Sequence, residues 1–68
     1  MTRVGTVTTF DEQRGLGEVS DDGGASYPFH CTALRDGSRR VAVGTAVAFE
    51  LAAGHVGRME ARSLQPLR

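Results

Sequence analysis

Residues 13–19 read Gln-Arg-Gly-Leu-Gly-Glu-Val, with glycine at two alternate positions. Glycine lets another backbone come close and lets a strand bend sharply. On such a strand Leu16 and Glu18 share one face, and Gly17 and Val19 share the other. A segment of this kind fits a small, strongly curved β structure better than a helix.

The flanking residues agree. Val4, Thr6, Val7, Thr8 and Thr9 are β-branched and favour strand. Val4, Val7 and Phe10 lie three apart, which fits neither face of a flat strand and calls for a bulge or strong coiling. Asp21-Asp22-Gly23-Gly24 is a hairpin signal. Pro28 cannot donate to a ladder, so either its backbone faces an unpaired edge or the strand is irregular there. Thr32-Ala33-Leu34 suits a short helical turn. Strands are predicted near 3–10, 15–20, 26–31, 45–52 and 58–64, with polar or glycine-rich turns at 11–14, 35–40 and 53–57. Five short strands without an amphipathic helix give a small all-β barrel. Val7, Val19, Phe29, Val47, Phe49 and Leu51 are the expected core.

Length and charge bound the rest. Sixty-eight residues make a single small domain. Such a chain buries only about 60% of its unfolded surface. The formal net charge is zero, and all eight cations are arginine. Bulk positive charge therefore gives no reason to expect nucleic-acid binding, although a local basic patch would suffice. Cys31 is the single cysteine, so no intrachain disulfide forms. No apolar run has the length of a signal peptide core or a membrane span, and a soluble cytoplasmic chain is expected, with no membrane partner.

Several stretches in order resemble the cold-shock domain. That family opens with G-x-V-x-W-F-N, continues with K-G-F-G-F-I, and then has V-F-V-H. Here these are Gly5-Thr6-Val7-Thr8-Thr9-Phe10-Asp11, Arg14-Gly15-Leu16-Gly17-Glu18-Val19, and Tyr27-Pro28-Phe29-His30-Cys31. The later G-x-x-V-x-F-E reappears as Gly44-Thr45-Ala46-Val47-Ala48-Phe49-Glu50. The resemblance spans nearly the whole chain. It implies a five-stranded antiparallel barrel of the OB type. It also implies a platform across strands one to three, where bases stack on aromatic rings.

Most of those rings are missing. By the resemblance, the platform positions are Thr9, Leu16, Glu18, Pro28 and Cys31, while Phe10 and His30 are kept and Arg14 stands for a lysine. Each stacked base is worth about 1–3 kcal/mol. Five absent stacks outweigh the roughly 8 kcal/mol of a micromolar complex. Glu18 adds a carboxylate where an anionic strand would lie. Binding is therefore expected to be weak, with Phe10, Arg14, Leu16, His30, Arg58 and Arg62 as candidate nucleic-acid-binding residues.

Each candidate has a plainer reading. Phe10 suits the core as readily as the platform. Cys31 reads as a small buried hydrophobe. His30, Cys31 and His55 lack a zinc spacing, so no metal or other cofactor is expected. Adjacent strand residues point to opposite faces, which argues against a His30–Cys31 catalytic pair. Arg35, Arg39 and Arg40 read more readily as a solvated loop than as a docking patch, and Arg58, Glu60 and Arg62 as a solvated strand face. Leu16, Tyr27 and Pro28 could form an apolar surface patch. With no nucleophile–base pair, paired carboxylate site or phosphate loop, neither an enzyme nor a small-molecule substrate is expected. Two functions remain: a diverged cold-shock protein that binds single-stranded RNA or DNA weakly, regulating transcription or translation, or a barrel adaptor that meets an unidentified protein through the altered face.

Overall fold

The computed structural model describes residues 2–35, 37, 40–54 and 57–67. The turn residues predicted at 36, 38, 39, 55 and 56 lie outside these. Five strands form: β1 (Thr2–Asp11), β2 (Leu16–Asp21), β3 (Ser26–His30), β4 (Ala46–Ala53) and β5 (Met59–Pro66). They make one antiparallel sheet in the order β3-β2-β1-β4-β5. A 3-10 turn, Cys31–Ala33, follows β3. Among the described residues no helix is long and apolar enough to cross a membrane.

β1 solves the spacing of Val7 and Phe10 with a bulge. Val7 pairs with Val19 and Thr9 with Glu18, which leaves Thr8 as the extra residue. Thr8 donates its hydroxyl to the Glu18 carbonyl at 3.3 Å. After this shift Val7 and Phe10 both face inward. Val4 does not join them and remains exposed.

The β2–β3 turn is organised by Asp21. Its Oδ1 accepts from the amides of Gly23 at 2.9 Å and Ala25 at 3.0 Å. Its Oδ2 takes the Tyr27 hydroxyl at 3.4 Å and pairs with Arg3 at 3.6 Å. The Asp21 amide donates to Ala25 O, and the Cys31 amide to Gly15 O. Together these bonds fix the alternation of the ladder. Pro28, opposite Glu18, therefore turns its backbone away from β2, toward the open edge of β3.

The two edge strands also approach each other. Leu34, just past the turn, forms a parallel bridge with Leu64 of β5, and the Arg35 amide donates to Leu64 O at 2.8 Å. No ladder of strand pairs joins β3 to β5 among the described residues.

The core consists of Val7, Val19, Phe29, Leu34, Val47, Phe49, Ala61 and Leu64. Leu51 only packs against it, half-buried. β5 departs from simple alternation. Ala48 pairs with Gln65 and Glu50 with Arg62, so Phe49 faces two residues, Ser63 and Leu64. Ser63 has φ 55, the left-handed conformation that bulges normally give to glycine. This bulge lets Ala61 and Leu64, three apart, both turn inward. β5 also starts at Met59, which leaves Arg58 outside the strand.

Candidate nucleic-acid interface

The paired strands build the outer face row by row. Thr9, Glu18 and Pro28 form one row across β1, β2 and β3. Asp11, Leu16 and His30 form the next. Thr9, Leu16, Glu18 and Pro28 line one shallow depression of about 270 Å³, floored by Gly17 and Phe29. These are four of the positions where the resemblance expects rings. Leu16 is 46% exposed, so its side chain is offered to solvent.

Phe10 belongs to the opposite side. The row Phe10, Gly17, Phe29 faces inward, and the two rings stack with centroids 6.0 Å apart and planes 15° apart. They meet over Gly17. A Cβ there would lie 2.8 Å from both rings and 2.6 Å from the Thr9 carbonyl oxygen. Glycine is needed at this point because the aromatic pair occupies the space of a side chain.

Arg14 is placed by the turn before β2. Asp11 Oδ1 accepts from the amides of Gln13 at 3.0 Å and Arg14 at 3.2 Å. Gly15 follows with φ 69, and a Cβ on it would press on Cys31 Sγ at 2.8 Å. Both the backbone angle and the close approach demand glycine. The Cys31 amide donates to Gly15 O at 2.7 Å, which joins the turn to the end of β3. Arg14, Gly15, His30, Cys31 and Thr32 thereby line a first groove of about 490 Å³.

His30 ends β3 and caps the 3-10 turn. Its Nδ1 accepts from the Thr32 amide at 3.2 Å. The neutral ring therefore carries its proton on Nε2, which lies toward Gly15. The chain leaves the strand at this point, so the expectation that His30 and Cys31 point apart does not hold. Cys31 Sγ sits 3.8 Å from His30 Nδ1, at the limit of a weak sulfur contact. Cys31 itself is half-buried against the core edge.

A second groove of about 500 Å³ lies on the other side of His30. The 3-10 turn and β5 form its walls, with Thr32, Arg35, Glu60, Arg62 and Ser63 among the lining residues. His30, Thr32 and Leu34 line both grooves, one of which carries Arg14 and the other Arg35 and Arg62. Arg58 lines neither; its carbonyl accepts from the Gly54 amide near the β4–β5 turn. Arg35 and Arg40, read together as one solvated loop, part company. Arg40 pairs with Glu12 at 3.4 Å, while Arg35 turns to β5. The short helical turn expected at residues 32–34 forms at Cys31–Ala33, but residue types give no sign of the Leu34–Leu64 bridge that sets Arg35 beside β5.

A scan against family models and a search of curated proteins returned no match for this chain.

Proposed function

We propose that this chain is a diverged cold-shock-type domain that binds single-stranded RNA or DNA weakly across the outer face of β2 and β3. The observation that carries the reading is the cross-strand pair Leu16–His30, flanked by Arg14 in one groove and Arg62 in the next. An apolar side chain and an imidazole offer surfaces to one or two bases. The flanking guanidinium groups offer charge and stacking to the backbone and bases. Weakness follows from Thr9, Glu18 and Pro28, which present no ring.

An OB-type barrel is the fold that goes with this function. Its support is the strand order together with the Leu34–Leu64 bridge, which stands where a third and a fifth strand meet in a partly open barrel. A second reading, a protein-binding adaptor, has the exposure of Leu16 beside Pro28 in its favour.

Fluorescence anisotropy of labelled oligo-dT and of a mixed RNA, at low and moderate salt, tests the first reading. It expects a saturable complex that weakens as salt rises. No complex at high protein concentration with either oligonucleotide overturns it and favours the adaptor.

A further inference from the structure

We propose that the groove between the 3-10 turn and β5 is a phosphate site, in which Arg35 and Arg62 clamp one backbone phosphate of a single strand whose bases lie on the Leu16–His30 face. The proposal rests on the nucleic-acid reading above and assigns that strand its path.

The bulge in β5 is the first support. In a regular strand Arg62 and Leu64 would share a face. Leu64 is fully buried, so a regular β5 would carry Arg62 into the core. Ser63, held at φ 55, breaks the alternation and leaves both Arg62 and Ser63 exposed. Backbone held in a sparsely populated region, re-aiming a charged side chain, is a feature of functional sites.

The second support is the fixed spacing of the walls. The Arg35 amide is bonded to Leu64 O, and Leu34 bridges the same residue. The backbones that carry the two arginines are thus fixed next to each other, and both residues line one groove.

The third is electrostatic. The ion pairs of the described residues take Arg3 to Asp21 and Arg40 to Glu12, and among the described residues neither Arg35 nor Arg62 has an acidic partner within 4.0 Å. Glu60 lines the groove, yet its carboxylate lies against Gly54. Glu50 stands opposite Arg62 in the ladder but is not within 4.0 Å of either guanidinium. Two arginines lining one groove with Thr32 and Ser63 suit a phosphodiester, whose two free oxygens can accept from both.

The test is the salt dependence of oligo-dT binding. Neutralising one phosphate contributes about 0.7 to the slope of log K against log salt for a single strand. The double variant Arg35→Ala/Arg62→Ala should flatten the slope by about that amount. Its affinity should fall about fivefold at 0.1 M salt and rejoin that of the parent toward 1 M. Arg35→Lys/Arg62→Lys keeps the charge and should keep the slope. Arg3→Ala, which removes an arginine already paired, should leave the slope unchanged. An unaltered slope in the double alanine variant overturns the groove. Amide shifts during the same titration separate the two readings. Movement of Thr32, Arg35 and Ser63 together with Leu16 and Glu18 supports the path. Movement of Leu16 and Glu18 alone keeps the face and overturns the groove, and no movement overturns both. Inorganic phosphate that shifts the groove amides as strongly as oligo-dT, phosphate for phosphate, overturns the strand path in favour of a free-anion site.

Discussion

On its inner side the β1–β3 meander sets Phe10, Gly17 and Phe29 in one row; the adjoining outer row is Thr9, Glu18 and Pro28. The inner row keeps two rings stacked over a glycine. The outer row, on the same strands, presents a hydroxyl, a carboxylate and a pyrrolidine. Inside, ring size is held by close packing, where a cavity or a clash is felt at once. Outside, only a ligand would hold a ring in place. Packing therefore constrains ring size in the inner row and leaves the outer row free of that constraint.

The largest effect expected from this contrast is on the inside. Phe29→Ala should cost about 3–5 kcal/mol, as truncation of a buried phenylalanine does. Domains of this kind have about 5–15 kcal/mol in total, and one this small lies near the low end. Chemical denaturation should find the variant largely unfolded, whereas Glu18→Ala on the exposed face should stay within about 0.5 kcal/mol of the parent. Equal losses would erase the distinction between the two faces.

The next effect is a gain on the outside. Thr9→Trp, Leu16→Phe and Glu18→Phe line one depression and should rebuild neighbouring stacking surfaces. Three stacks of about 1–3 kcal/mol each, diminished by imperfect geometry, should still raise oligo-dT affinity about a hundredfold, or roughly 2.7 kcal/mol. Part of the gain comes from removing the Glu18 charge, and that part should shrink with salt. A folded triple variant with parental affinity would show that the outer rows are not the binding surface.

Gly17→Ala probes the boundary between the faces. Its methyl group meets Phe10, Phe29 and the Thr9 carbonyl, and overpacking of this kind costs about 1–3 kcal/mol. A thermal melt unchanged from that of the parent would mean that the two rings are not stacked across the glycine.

Ser63→Gly should have the smallest effect, and of opposite sign. Relief of the left-handed conformation is worth about 1–2 kcal/mol. The added freedom of the unfolded chain returns about 0.4–1 kcal/mol. A net gain of about 0.5–1 kcal/mol is expected in urea denaturation, and a loss would indicate that the Ser63 side chain supports the bulge.

Much of this frame could be read from residue types. The β-branched run, the Asp21–Gly24 turn and the alternation of Val47 and Phe49 place four strands to within a residue or so. The spacing of Val7 and Phe10 signals a bulge, which the register supplies at Thr8. What escaped was set by tertiary packing. Leu34, buried, follows a 3-10 turn and belongs to no strand pattern. Ala61 and Leu64 sit three apart because Ser63 is left-handed, and serine gives no warning of that. Leu51 fits its strand's alternation yet is only half-buried. The site divides in the same way. Leu16 and His30 are named by the resemblance, and strand alternation puts them on one outer face, while the nearness of Arg35 to Arg62 depends on a bridge between residues 34 and 64.

Pro28 also bears on how the chain reaches this state. The β1–β3 meander is built from contiguous residues, whereas β1–β4 pairing joins Gly5 to Val47 and the bridge joins Leu34 to Leu64. Pairings so distant along the chain form slowly. In a chain that lacked them, the rim of β3 would have no neighbour. Partly assembled sheets of this kind recruit strands from other molecules and aggregate. Pro28 puts a position with no N–H in the middle of that rim, where an incoming strand would need a donor. A residue that contributes no ring to binding thus leaves the middle of that rim without a donor for an incoming strand.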